Sequence, residues 1–245
     1  MTKTLFILTS DAGRTPSHPI AAMIVIAAVL SLWVPPAVAA ESAESEVMLD
    51  GIAAVISFNA NDESAAVLLL NSDVELVARI LLVSLHGAEW DRHPADSVVK
   101  FKARRLGIIV RLLAHVAAQI GEKVDTGLRD KWVEKFTEMA GGDRAVQKLL
   151  SQSGVNRRDL SYWFANFQLC RIQLQYMADK IQMPSDAELQ KMFKEGDHPL
   201  AGASWEDARK AYETIVRNRK LQRIIGDWLM RFDQQGNIRF TAPLQ

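Results

Sequence analysis

Five histidines and one cysteine are the residues of this chain most able to ligate a metal or attack a carbonyl. The histidines are His18, His86, His93, His115 and His198. No two of them stand four apart, so none forms the one-face helical pair that grips zinc, and no cysteine lies at metal-ligand spacing. His86 and Glu89 are three apart, but Gly87 ends a helical pattern between them. Cys170 can make no internal disulfide and no thiolate site alone. It reads either as a reactive thiol or as a small core residue, and its place on an apolar helix face favours the core. Gly141-Gly142 follows a helix rather than a strand, so it is a helix stop and not a phosphate loop. No nucleophile elbow is present. The expectation is a chain without catalytic, cofactor or metal residues.

Charge excludes another class of function. Lysines and arginines number 29 and so do the acids, giving a net charge of zero. No overall field draws nucleic acid or anionic lipid to the molecule. The densest basic stretch is Arg209, Lys210, Arg217, Arg219, Lys220 and Arg223, which reads as the solvated face of a long helix. A nucleic-acid partner is not expected.

The first 40 residues read as an export signal. Lys3 and Arg14 precede the uncharged run Ile20–Val34, Pro35-Pro36 break it, and the small residues Ala37–Ala40 follow. Fifteen apolar residues fall short of the roughly 20 that span a bilayer as a helix. Cleavage after Ala39 or Ala40 and a periplasmic location are expected, with retention of the run as an anchor the alternative. Residues 41–49 form an acidic spacer, and residues 50–241 the folded domain.

Within that domain the β signals sit at the ends. Residues 51–58 and 65–70 are apolar runs around the turn-forming NANDES, which predicts a hairpin. Helices follow. Ser72 to Glu75 reads as a capping box opening a helix to His86. The segment 89–94 is a linker containing Pro94, and a long helix covers about 95–120. Asp125 begins a helix stopped by Gly141, Asp143 begins one stopped by Gly154, and Asn156 caps a helix with an apolar 3.6-residue period. Pro184-Ser185 and Glu188 open another to Glu195; 196–203 is a loop; a last helix runs from Ser204 to Gln235, and residues 238–241 are strand. The fold class is mostly α (α+β), with a small sheet formed by the N-terminal hairpin and the C-terminal strand.

Trp132, Phe136, Trp163, Phe164 and Phe167 recur at helical spacing. Such rings fill a core, or, where helices splay, line an apolar groove that holds extended peptide. They are the candidate peptide-binding residues.

The order of these elements resembles the SurA-type periplasmic chaperones and, more loosely, the peptide-binding part of trigger factor. The resemblance covers about residues 50–241. It is carried by the strands IAAVISF and VLLL running into Asn71-Ser72-Asp73-Val74, the Leu-rich helix at 102–125, the stops Gly141-Gly142 and Gly154-Val155, the helix start Met183-Pro184-Ser185-Asp186-Ala187-Glu188, and the closing NIRF. The hairpin loop SFNANDESAA is longer than the family's, and the parvulin-type isomerase domains that the family inserts before the last helix are replaced by GDHPLAGA. The resemblance implies a helical chaperone domain without isomerase activity. It would bind unfolded or outer-membrane polypeptides without ATP, needing no cofactor, and could dimerise. An envelope adaptor with one fixed partner is the alternative.

Overall fold

The computed structural model describes residues 51–57, 66–196, 198–200 and 202–240. The expected export signal, the acidic spacer and the tip of the hairpin lie outside the described residues.

Three strands form one antiparallel sheet, with β1 (Ile52–Ile56) between β2 (Val67–Leu70) and β3 (Ile238–Phe240). Val55 pairs with both Leu68 and Arg239, and Ile56 with Val67 and Ile238. The Ser57 N–H donates to the Asn237 carbonyl at 2.8 Å, extending the seam between chain ends. The alternation of side chains is what selects this register: Ala54, Ile56 and Leu69 are buried on the helix side, while Leu68 and Arg239 face out.

Seven α-helices are described. α1 (Asn71–His86) leaves β2 without a linker. Its start corrects the sequence reading. Leu70 is the N-cap, and Asp73, not Glu75, is the N3 residue whose carboxylate accepts from the Leu70 N–H at 3.0 Å. A 3-10 helix, Gly87–Arg92, replaces the expected linker. α2 (Ser97–Gln119) is capped by Asp96, two residues later than the sequence suggests. α3 (Thr126–Ala140) and α4 (Asp143–Ser153) both end on glycines in the left-handed region, Gly141 and Gly154. The side chain of a different residue there would be strained. α5 (Arg157–Asp179) and α6 (Asp186–Glu195) begin with the full capping boxes of Asn156/Asp159 and Ser185/Glu188. α7 (Trp205–Gln234) is capped by Ser204.

The main core lies where α2 and α5 pack on each other and on α1, with the sheet against them. Gly107 of α2 allows this approach: a Cβ there would meet a Leu69 methyl at 3.0 Å and the Trp163 ring at 3.5 Å. A second, smaller core joins α6 to the first half of α7 through Leu189, Tyr212 and Val216, with Phe193, Leu200 and Trp205 packed on them. The second half of α7 returns to the main core through Leu221 and Ile225. At 30 residues, α7 is about 45 Å long and belongs to both cores.

Ending the chain after Gln235 removes β3, with its buried Ile238 and its ladder to β1. The expected cost is about 3 kcal/mol, from one buried side chain and a few hydrogen bonds. A urea-denaturation midpoint unchanged by the truncation would show that β3 does not support the domain.

Candidate functional site

The five candidate peptide-binding rings come together, but inward. Trp132, Phe136, Trp163, Phe164 and Phe167 are each 3% exposed or less. Phe164 lies 5.4 Å from Phe136 and 6.0 Å from Phe167 between ring centres, and Trp163 lies 5.9 Å from Phe167. α3 and α5 close on one another rather than splay, because rings in edge and tilted contact fill the space between them. In this arrangement the five residues are core and offer no surface to a peptide, which corrects the groove reading.

One of these rings takes part in a buried polar constellation that the sequence did not reveal. The Asp73 carboxylate accepts from Trp163 Nε1–H at 2.8 Å, from Arg111 Nη2 at 3.3 Å and from the Leu70 N–H. The Arg111 guanidinium donates to the Tyr162 hydroxyl and stacks over the Tyr162 and Trp163 rings at 4.6 and 4.8 Å. The lone arginine in the apolar run GIIVRLLAHV was the available signal, since a cation there requires a buried acceptor. Three donors occupy the carboxylate, which fastens α1 to α2 and α5.

The remaining chemistry-bearing residues are dispersed. Burial pushes the Cys170 thiol well above its usual range, which removes it as a nucleophile. His86 and His93 stack with ring centres 3.5 Å apart. Desolvation first, and the neighbouring His93 second, lower the His86 pKa, against the pull of Glu89. The stack therefore contributes fully above the ordinary imidazole range and weakens as pH falls through that lowered value. Among the described residues no three His, Cys, Asp or Glu side chains converge as a metal would require. His115 is half-buried in α2.

His198 lies in the loop expected at 196–203, and its side chain is buried against the second core. Its Nε2–H donates to the Phe193 carbonyl at 2.7 Å and its Nδ1 accepts from the Leu200 N–H at 3.2 Å. Its ring stacks on Phe193 at 4.5 Å and meets the Tyr212 edge at 4.9 Å. On α7, Arg209 pairs with Asp186 and Glu213, and Lys220 donates to the Gln182 carbonyl. Part of the basic stretch thus fastens α7 to α6 and to the turn before it.

What remains for function is exposed apolar surface. They include Ile52, Leu68 and Phe240 on the sheet, Val98 and Phe101 on α2, and Met192, Ile224 and Met230 on α6 and α7. No helix of the described residues is long and apolar enough to cross a membrane.

Replacing Asp73→Ala leaves the buried Arg111 guanidinium without its counter-charge and the Trp163 indole N–H without its acceptor, and should lower stability by about 3–5 kcal/mol. A loss under 1 kcal/mol in urea denaturation would deny the constellation its structural role. Cys170 should react with a thiol-specific disulfide reagent only after denaturant unfolds the chain, which absorbance of the released thiolate will report. No family model, curated protein or solved structure matches the chain.

Proposed function

We propose that the protein is an exported chaperone that holds unfolded or outer-membrane polypeptides without ATP. The observation that carries this reading is the order of elements: hairpin into helix, a Leu-rich helix, glycine-stopped helices, a capping-box helix, a long last helix and a returning strand. That order is the one on which the resemblance to SurA-type chaperones rests. The exposed side chains Leu68, Val98, Phe101, Phe240, Met192, Ile224 and Met230 support it. Unbranched methionine and planar phenylalanine adapt to varied apolar partners, as a holding surface requires. Release without ATP demands modest affinity and fast dissociation. The processed chain acts in the periplasm.

The expected result is that the purified protein, at a stoichiometric ratio, suppresses aggregation of a chemically unfolded outer-membrane protein and of an unrelated client, read by light scattering. Failure with both sinks the chaperone reading. A single stoichiometric partner co-purifying from envelope extract would then identify an adaptor.

A further inference from the structure

Helix α5 carries two apolar faces, and only one of them is used inside the domain. Leu160, Trp163, Phe164, Phe167, Cys170 and Leu174 lie in the main core. On the opposite side of the helix, Tyr162, Ala165, Leu169, Ile172 and Tyr176 follow one another in steps of three and four residues. That spacing is the heptad seam by which one helix packs along another. At its two ends Tyr162 is 51% exposed and Tyr176 is 47% exposed. Between them Ala165, Leu169 and Ile172 are half-buried and are part of neither core among the described residues.

Charge is absent from this face. Between Leu160 and Ala178 the one charged side chain of α5 is Arg171, and its guanidinium turns to the core side, 5.7 Å from the centre of the Trp132 ring. A helix face left to water ordinarily carries charge, as α7 does with its exposed Arg209, Lys210, Arg217 and Arg223. The tyrosines at the seam's ends are also held in place. Arg111 donates to the Tyr162 hydroxyl, and Lys180 donates to the Tyr176 hydroxyl. Rings fixed beforehand lose little freedom when a partner arrives.

The order of side-chain sizes along the seam says what that partner is. Turned end for end against itself, with a two-fold axis between Cys170 and Arg171, the seam sets Ala165 opposite Tyr176 and Leu169 opposite Ile172. The smallest side chain meets a bulky ring, and the two aliphatic ones meet each other. The same turn brings Arg158 and Asp159 of one helix to Asp179 and Lys180 of the other, so each sign finds its opposite. A parallel pairing would set every charge against its like and leave a void between two alanines.

We propose that α5 is the interface of a two-fold dimer, in which this seam packs antiparallel on the same seam of a second copy of the chain. The inference stands apart from the chaperone reading. From Tyr162 to Tyr176 the seam is about 21 Å long. That length gives an interface at the small end of the usual range and a reversible dimer, with a dissociation constant on the order of 10 µM.

Sedimentation velocity on the purified protein should show dimer above that concentration and monomer below it. Leu169→Lys puts a charge at the middle of the seam and should weaken the dimer about tenfold or more, with circular dichroism and melting close to the parent. Should that variant lose its fold, Tyr176→Lys, at an exposed position, serves the same end. A short bis-maleimide crosslinker reads the direction of pairing. Ala165→Cys mixed with Tyr176→Cys should give a covalent dimer, and neither variant alone should, because the native Cys170 is buried. A parent that stays monomeric at about ten times the stated concentration overturns the proposal. So does a dimer that survives both lysine variants, or Ala165→Cys crosslinking to itself as well as in the mixture. An envelope protein that co-purifies with a monomeric parent and is lost from the lysine variants would assign the seam to a foreign helix, and overturns it too.

Discussion

A single carboxylate joins three parts of the fold. Asp73 fixes the first turn of α1 through the Leu70 N–H, holds α2 through Arg111, and holds α5 through Trp163. Removing two charges from water costs several kcal/mol for each ion, and the attraction between them offsets this only when the other donors and lone pairs are satisfied. Here Tyr162 and the indole supply further partners, while the buried Arg111 Nε has no hydrogen-bond partner among the described residues. A slip of one turn would separate Arg111 from Asp73 and leave its charge among apolar side chains. The aromatic layer of α3 and α5 then closes around a frame whose register is already set.

Two cores on one long helix give the molecule a division of labour. The main core is dense, with Trp90, Trp132 and Trp163 almost wholly enclosed. The smaller one rests on Leu189, Tyr212 and Val216 with a ring of aromatics around His198. Its apolar material is limited, so its stability leans on the hydrogen bonds of His198 and on the Arg209 and Lys220 contacts across α6 and α7. Fewer buried contacts mean a lower free energy of local opening than in the main core.

The parts legible in the sequence are those decided by neighbours in the chain. Asp125, Asn156, Ser185 and Ser204 were all readable as caps, because a capping side chain bonds a backbone N–H two or three residues away. The glycine stops and the sheet of both chain ends were readable too, from left-handed geometry and from where alternation occurs. What stayed hidden depends on distant partners. The segment around Trp90 looks like a linker until its indole is seen donating to the Ala140 carbonyl at 3.2 Å, fifty residues away. Asp73 looks like a bystander in a Ser72–Glu75 box because Arg111 is remote in sequence. The five rings had the same spacing for core or groove. Periodicity tells which face of a helix is apolar and not whether the opposing face arrives.

The sheet also has a bearing on timing. β1 sits in the middle, with β2 available soon after it and β3 at the far end of the chain. Helices α2 to α5 can form and associate from contacts near in sequence, but the third strand does not exist until residue 240 has been made. Pairings so far apart carry a large closure entropy and are late steps in folding. One side of the central strand therefore stays open until β3 reaches it. The sheet is sealed after the helices that separate its strands, and any piece of the chain lacking β3 holds its central strand half paired.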